Sequence, residues 1–171
     1  MVSPYIRPVD RADLEAIAEL ERSCFKEPWP VGAFAEFMKA EGFLVAIDPA
    51  DEPAREPGRP IDGQLAGYIV TTPADTRSSQ CLHIRNLAVA TPYRRKGIAS
   101  RLLRGSLSRY PSGRYESVKL EVRPSNEAAI ALYNEWGFRV TRRVPRYYED
   151  GEAALVMSRP IDATITSHRQ G

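Results

Sequence analysis

A strand, a basic glycine-containing turn and an amphipathic helix follow one another in the second half of the chain, and this succession constrains the fold more than any other feature. Residues 82–90 have the apolar character of a strand, and residues 97–109 place apolar side chains on one face of a helix. A second strand over 117–122 and a second helix over about 126–136 follow. Because strands and helices alternate, the sequence predicts a mixed α/β fold built on one central sheet.

The remaining predicted elements are shorter. Asp10 and Asp13 have the positions of an N-cap and a first-turn acid for a helix that the run at 27–30, Glu-Pro-Trp-Pro, breaks, and Phe34, Phe37 and Met38 mark a second short helix. Gly137 ends the helix over 126–136 in the usual position for a left-handed cap. The other predicted strands cover 5–8, 42–47, 64–70, 138–142 and 153–158, and a turn at 149–151 separates the last two.

One segment departs from the composition of the rest of the chain. Residues 48–63 contain four prolines among charged residues, which is typical of an exposed loop. Neither side of this segment has a separate pattern, so we expect a hairpin insertion between neighbouring antiparallel strands rather than a domain linker. The chain of 171 residues is therefore predicted to form a single domain over 1–160, followed by a flexible tail over 161–171.

The composition argues against several classes of protein. With 43 % hydrophobic and 27 % charged residues, the chain has the balance of a globular protein. No apolar run approaches the roughly 18 residues of a membrane span, and the first residues lack the pattern of a secretory signal. Two cysteines are too few for a disulfide framework, and a net charge of +2 does not indicate a general nucleic-acid binder. We therefore expect a cytoplasmic protein with no membrane contact and no direct contact with nucleic acid.

The turn at 94–99, Arg-Arg-Lys-Gly-Ile-Ala, has the features of a phosphate site. Gly97 lets an anion approach the backbone closely, and the small Ala99 keeps that approach open. The free N–H groups at the start of a helix point towards such an anion, and the three preceding cations add charge. Neither GxxxxGK[ST] nor GxGxxG occurs in the chain. The alternative is an ordinary basic surface turn, and the pattern does not identify which phosphate ligand would bind.

A second group of polar residues lies at 120–133, in the run L-E-V-R-P-S-N-E-A-A-I-A-L-Y, which is followed by W-G-F at 136–138. Together with N-L-A-V at 86–89 and the turn at 94–99, this run resembles the Gcn5-related N-acetyltransferase (GNAT) superfamily. Within that superfamily the chain looks most similar to the RimI-type protein N-terminal acetyltransferases, the ribosomal-protein-alanine acetyltransferase group. The resemblance covers about residues 4–160.

The resemblance implies the GNAT fold, which is a central mixed, mostly antiparallel twisted sheet of about seven strands flanked by about four helices, with a V-shaped splay between two parallel central strands. It implies an enzyme that binds acetyl-CoA in that V. The acetyl group would pass directly, in a ternary complex, to the N-terminal α-amine of a protein or peptide. A ribosomal protein is a candidate acceptor, and we expect a monomer or a weak dimer.

The resemblance also implies roles for single residues. Glu121 matches the family's proposed general base and Tyr133 its proposed general acid, and Tyr133 and Asn126 would also contact acetyl-CoA. Backbone groups of one strand and the basic turn would bind the rest of acetyl-CoA, through Leu87, Ala88, Val89, Arg94, Arg95, Lys96, Gly97, Ile98 and Ala99. The acceptor would lie against Phe25, Trp29, Tyr147 and Tyr148. From the residue pattern alone, Glu121 fits an exposed strand position, Tyr133 a core position and Asn126 a simple helix cap.

Acid–base chemistry favours an N-terminal acceptor. An α-amine has a pKa of about 7.7–8.0 and a lysine side chain one near 10.4, so deprotonating lysine at neutral pH costs roughly 3.5 kcal/mol more. One glutamate acting through water is therefore a more adequate base for an N-terminus. Two alternatives stay open: a GNAT enzyme that acetylates lysine side chains or a small-molecule amine, and a non-catalytic acyl-CoA-binding sensor module.

The remaining polar residues are assigned ordinary roles. His83 lies in a strand pattern and is expected to pack in the core or at a sheet edge. Two histidines and two cysteines far apart in sequence indicate no metal site. The arginines within 139–146 are interpreted as a solvated strand face or a contact for an acidic partner rather than a nucleic-acid site.

Overall fold

The structure, a computed structural model, describes residues 3–49, 63–74 and 80–161. These residues contain seven strands and four α-helices. The strands are β1 (Tyr5–Pro8), β2 (Leu44–Pro49), β3 (Gly63–Pro73), β4 (Cys81–Val89), β5 (Ser117–Val122), β6 (Arg139–Val144) and β7 (Ala154–Pro160). The helices are α1 (Leu14–Cys24), α2 (Val31–Glu36), α3 (Ile98–Leu107) and α4 (Glu127–Glu135).

All seven strands belong to one sheet with the order β1-β2-β3-β4-β5-β7-β6. The pairs β1–β2, β2–β3, β5–β7 and β6–β7 are antiparallel, whereas β4 and β5 are parallel. Residues 81–83 of β4 pair with residues 117–119 of β5, although β4 continues to Val89 and β5 to Val122. The expected mixed, mostly antiparallel sheet with two parallel central strands is confirmed.

The chain forms two compact units, and strands β3 and β4 each contribute residues to both. Unit 1 consists of Met1–Thr71 and Asn86–Arg109, and unit 2 consists of Thr72–Arg85 and Tyr110–Gly171. The expectation of a single domain over 1–160 stays a prediction.

Unit 1 is held together by a core under α1 and α2. The apolar face of α1 buries Leu14, Ile17 and Leu20, as its helical spacing predicts. Phe34 of α2 is fully buried, and its ring meets Tyr68 of β3 edge-on at a centroid distance of 5.4 Å. Burying side chains of this size contributes about 1.5–3 kcal/mol each, so this core fixes the two helices against β2 and β3.

Hydrogen bonds of Asp10 and Asp13 explain why the sequence around these two residues indicated the start of a helical segment. Asp10 caps a 3-10 turn, Arg11–Asp13, and accepts a hydrogen bond from the Ala12 backbone N–H. Asp13 completes a capping box by accepting the Asp10 backbone N–H at 2.7 Å, and it also accepts two bonds from Arg7. These contacts satisfy donors that a helix start leaves unpaired.

In unit 2, strand β5 alternates regularly between two faces. Val118, Leu120 and Val122 are buried, which leaves Lys119 and Glu121 on the opposite face. Helix α4 ends before Gly137, whose φ of 83° is the left-handed cap conformation predicted from the sequence.

Several predicted boundaries shift. The segment 48–63 does connect two neighbouring antiparallel strands, but its ends are themselves strand, because Pro49 pairs with Gly63. Residues 50–62 and 162–171 lie outside the described residues, and with them most of the proline-rich insertion and nearly all of the expected tail. Among the described residues, no helix combines the length and the apolar character needed to cross a membrane.

Candidate active site

The basic turn lies in unit 1, between the end of β4 and the start of α3. A short 3-10 turn, Thr91–Tyr93, precedes it, and Arg95 and Gly97 both have left-handed backbones, with φ of 60° and 77°. Gly97 is the N-cap of α3, so the unpaired N–H groups of the first helical turn follow it directly. Arg95 and Lys96 are exposed. Left-handed residues, helix N–H groups and exposed cations are the combination that binds a phosphate, so this turn fits a pyrophosphate group.

Arg94 differs from the other two cations of the turn. Its Nε donates to the Val89 carbonyl at 2.9 Å, and its Nη2 lies 3.4 Å from the Cys24 sulfur. The Arg94 side chain therefore connects the turn to the end of β4, and its positive charge remains next to the turn.

The strand segment Leu87, Ala88 and Val89 directly precedes this turn. Gly67 of β3 faces it, and a Cβ on Gly67 would come 2.7 Å from the Ala88 carbonyl oxygen, so β3 must carry glycine there. The Leu87 N–H donates to the Asn86 side-chain oxygen at 3.0 Å. Sequence reasoning gave no role to Asn86, although it belongs to the same motif.

In unit 2, Glu121 of β5 lies against His83 of β4. His83 Nε2 and Glu121 Oε2 are 2.5 Å apart, and the two side chains are only 12 % and 18 % exposed. Burial raises the pKa of Glu121, but the hydrogen bond and charge of His83, together with Lys119 and Arg85, outweigh burial and lower this pKa. Glu121 is therefore an ionised acceptor at neutral pH.

The sequence predicted only packing for His83, but its ring also contacts Glu121, the candidate base. In the parallel pairing of β4 and β5, His83 lies opposite Lys119, which is two residues before Glu121. The side chains of His83 and Glu121 therefore lie on the same face of the sheet. Only the register of β4 on β5 reveals this pair, and the sequence alone does not give that register.

Tyr133 and Asn126 occupy α4, also in unit 2. Tyr133 is 6 % exposed, with its ring edge-on to Phe138 at 5.5 Å. Burial, and secondarily Tyr148, raises the pKa of Tyr133 well above its usual value, so its hydroxyl stays protonated. The Asn126 side chain accepts the Ala129 backbone N–H at 3.2 Å, and Asn126 is therefore the cap of α4.

Tyr147 and Tyr148 lie in the connection between β6 and β7, and their rings meet at 5.0 Å. The Arg123 guanidinium stacks 3.7 Å from the centroid of the Tyr148 ring and donates to Asp150 and Glu152 at 2.9 Å. Burial is the main cause that raises the pKa of Tyr148 to about 12, and burial followed by the charge of Glu121 also raises the pKa of Tyr147. This connection is therefore held by an ion-pair cluster, and Tyr147 lies within the electrostatic influence of Glu121.

Phe25 and Trp29 occupy the loop between α1 and α2 in unit 1. Trp29 packs between Phe34 and Phe37, at centroid distances of 5.4 and 5.5 Å, and its backbone N–H donates to Glu21. Both residues pack against the core of unit 1. Trp29 thus has a structural role in addition to any contact with an acceptor.

Within the described residues, no group of three or more His, Cys, Asp or Glu side chains has the arrangement of a metal site. The chemistry that the described side chains offer is proton transfer and anion binding.

Comparison with known proteins agrees with this chemistry. The sequence model of the Acetyltransferase (GNAT) family matches residues 14–138. The chain is 33 % identical over 163 residues to an N-alpha-acetyltransferase of Saccharolobus solfataricus, a match that covers 87 % of this chain and 88 % of that protein. It is also 32 % identical over 158 residues to N-alpha-acetyltransferase RimI of Mycobacterium tuberculosis, with 90 % of each chain covered.

A solved structure gives the same result at the level of the fold. The ribosomal-protein-S18-alanine N-acetyltransferase of Escherichia coli has a TM-score of 0.69 and 28 % identity to this chain, and the match covers 93 % of this chain and 94 % of that one. The family match extends over well more than half of the chain and includes the basic turn, β5 and α4. The chain belongs to the GNAT acetyltransferase family.

Proposed function

We propose that the protein is an acetyl-CoA-dependent N-acetyltransferase that acts on the N-terminal α-amine of a protein or peptide. The observation in the structure that supports this most directly is the 2.5 Å contact between His83 and Glu121, an imidazole–carboxylate pair with little exposure to solvent. The names of the relatives in Saccharolobus and Mycobacterium support the same class of acceptor.

Acetyl-CoA supplies the acetyl thioester. The turn at 94–99 is proposed to hold its pyrophosphate, because this turn combines the left-handed Gly97 with exposed cations and the first N–H groups of α3. The backbone of residues 87–89 is proposed to bind the pantetheine arm and the acetyl carbonyl. Asn126 is proposed to contact the same arm, since its amide still carries N–H donors while its oxygen caps α4.

The reaction needs a neutral amine. The His83–Glu121 pair is proposed to take the proton of the acceptor ammonium, directly or through one water, because the ionised Glu121 fixes the orientation of the His83 ring. The amine nitrogen then forms a bond to the acetyl carbon as the bond from carbon to sulfur breaks. Tyr133 is proposed to donate its hydroxyl proton to the leaving thiolate, and the second proton of the amine nitrogen, released as the amide forms, restores the tyrosine directly or through water.

The acceptor is proposed to lie against Phe25 and Trp29 and against Tyr147 and Tyr148. A ribosomal protein is one candidate acceptor, because the similar Escherichia coli enzyme is named for a ribosomal-protein alanine. The ion pairs of Arg123 hold the connection that carries the two tyrosines and would reduce the entropy lost when a peptide binds.

The test is acetyl-CoA consumption with short peptides that differ at their first two residues, each matched to an N-terminally blocked peptide with an internal lysine. Turnover confined to free α-amines is the expected result. In the double variant Glu121→Gln, Tyr133→Phe, kcat/KM should fall by at least about 100-fold, because an acid and a base are lost. The control variant Glu116→Gln, Tyr115→Phe removes the same two groups from another part of unit 2 and should retain activity.

Three outcomes would contradict this proposal. Turnover of the blocked, lysine-bearing peptides would move the protein to the lysine-acetylating enzymes. Turnover of small-molecule amines alone would make it a small-molecule acetyltransferase. Binding of acetyl-CoA without transfer to any amine would make it a non-catalytic sensor.

A further inference from the structure

Glu21 of α1 places a carboxylate inside unit 1, where only 1 % of the residue is exposed to solvent. Its Oε1 accepts two hydrogen bonds, from the Trp29 backbone N–H at 3.1 Å and from the Asn86 side-chain amide at 3.0 Å. Its Oε2 accepts the hydroxyl of Tyr68, which is also buried. One carboxylate therefore connects α1, the loop that follows it, β3 and β4.

A buried carboxylate is costly unless donors surround it, so a position that needed only packing would carry an apolar residue. Burial raises the pKa of Glu21, and the three donors oppose that rise. Because the pKa of Glu21 stays raised, the hydrogen bonds compensate only in part for the hydration that the carboxylate loses.

The two bonds on Oε1 lead to different parts of the proposed site. Asn86 donates to Glu21 through its amide nitrogen and accepts the Leu87 N–H through its amide oxygen, at 3.0 Å in both bonds. The chain of bonds thus runs from the carboxylate to the first residue of the strand segment proposed to bind acetyl-CoA. The Trp29 N–H belongs to the loop proposed to contact the acceptor.

We propose that Glu21 is a positioning residue, which holds the acceptor-side loop through Trp29 and the acetyl-CoA-side strand through Asn86 with the same oxygen atom. The proposal rests on the roles given to Trp29 and Leu87 under the proposed function. Loss of this carboxylate should loosen both segments, and so weaken the use of both substrates, without removing a group that touches either reacting atom.

The geometry distinguishes among substitutions. In Glu21→Gln the amide oxygen can accept both Oε1 bonds and the amide nitrogen can donate to the Tyr68 oxygen, so the three contacts can re-form with Tyr68 as acceptor instead of donor. Glu21→Ala loses all three contacts. Asn86→Ala removes the bond to Glu21 and the bond from Leu87, and it leaves the contacts of Glu21 with Trp29 and Tyr68 in place. Ser106→Ala is a matched control, because it removes a buried 2.8 Å bond to the Gly42 carbonyl elsewhere in unit 1.

The experiment is steady-state kinetics with acetyl-CoA and with a peptide that has a free α-amine, each varied separately, beside thermal unfolding of every variant. Glu21→Ala should raise KM for both substrates, with kcat/KM falling by about tenfold or more for each. Asn86→Ala should raise KM for acetyl-CoA and leave KM for the peptide within about twofold. Glu21→Gln should restore both KM values to within about threefold of wild type, and Ser106→Ala should lower the unfolding temperature without changing either KM.

The proposal is overturned if Glu21→Ala only lowers the unfolding temperature, as Ser106→Ala does, or if Glu21→Gln is as impaired as Glu21→Ala. If Glu21→Ala does not fold, the kinetics of Asn86→Ala are the test. The proposal is contradicted if Asn86→Ala raises the two KM values equally, or if it raises neither of them. Calorimetric titration of acetyl-CoA into each variant measures the affinity for acetyl-CoA and does not require acetyl transfer to an acceptor. If the wild-type protein binds acetyl-CoA but acetylates no peptide, the proposed function is refuted. The roles of Glu21 and Asn86 on the acetyl-CoA side can then still be tested by the affinity of their variants for acetyl-CoA.

Discussion

Glu121 experiences two effects that act on its pKa in opposite directions. Burial favours the protonated acid, whereas His83, Lys119 and Arg85 favour the carboxylate, and the pKa falls. A lowered pKa makes the carboxylate a weaker base than a free glutamate. The contribution of Glu121 is therefore to orientation, because the ionised carboxylate fixes the position of the His83 ring through Nε2.

This balance predicts a pH-dependent contribution to stability. A carboxyl whose pKa is lower in the folded state stabilises the fold above its unfolded pKa of about 4.3, and that contribution is lost as pH falls through the folded pKa. Glu121→Gln should lower the free energy of unfolding by roughly 1 kcal/mol at pH 7, and the difference from wild type should shrink as pH falls below the unfolded pKa and through the lower folded pKa. Urea unfolding at a series of pH values measures it. The exposed control Glu116→Gln should stay within about 0.5 kcal/mol of wild type throughout.

The basic turn before α3 combines a left-handed backbone at Gly97 with a cluster of positive charges. Gly97 takes a left-handed conformation that L-residues disfavour, although a Cβ there would meet nothing within 4 Å. Gly113, in unit 2, has nearly the same φ, 79° against 77°, and the same open surroundings. The two glycines thus share the same backbone strain, and Gly97 differs in being the N-cap of α3.

Substitution of these two glycines separates binding from strain. Gly97→Ala and Gly113→Ala should each destabilise the fold by about 1–2 kcal/mol, the cost of a left-handed alanine. Only Gly97→Ala should raise KM for acetyl-CoA, by several-fold, because it distorts the N–H groups proposed to bind the pyrophosphate. Thermal unfolding and acetyl-CoA kinetics of both variants test this. Equal effects on KM would remove the turn from the acetyl-CoA site.

At the scale of the whole molecule, each compact unit contains its own set of polar contacts. Unit 1 carries the basic turn, the strand segment 87–89 and the Glu21 cluster, whereas unit 2 carries the His83–Glu121 pair and Tyr133. Lowering of the Glu121 pKa and raising of the Tyr133 pKa keep both groups in one protonation state across the neutral range. Neither group therefore titrates in the neutral range, whereas the acceptor α-amine does.

The pH profile of the whole reaction therefore reports on the acceptor. For a peptide with a free α-amine, kcat/KM should rise about tenfold per pH unit up to about pH 7.7–8.0 and then level off. For a lysine acceptor the rise would continue towards about pH 10.4. Initial rates between pH 6 and pH 10 distinguish the two cases. A profile that still rises steeply above pH 9 with a free α-amine would show that another group limits the rate.

Local signals in the sequence were sufficient for most of the secondary structure and for the recognition of the family. Asn126 and Gly137 cap α4 where the sequence indicated, because a cap depends on a few neighbouring residues, whereas Asp10 caps the 3-10 turn that precedes α1 rather than α1 itself. Strand and helix ends differ from the predicted ones by one or two residues in most elements, as fraying ends and extended strand pairing allow. The motif over 86–138 led to the correct family because its residues are close together in the chain.

The strands, the helices, the basic turn and the GNAT resemblance follow from local patterns in the amino-acid sequence. Tertiary structure alone decided the contact of His83 with Glu121, 38 residues apart, and those of Glu21 with Tyr68 and Asn86, 47 and 65 residues apart. It also decided that Arg94 folds back onto the end of β4. The physical reason is that such contacts depend on strand register and on the packing of helices against the sheet, whereas periodicity and capping depend only on neighbours in sequence.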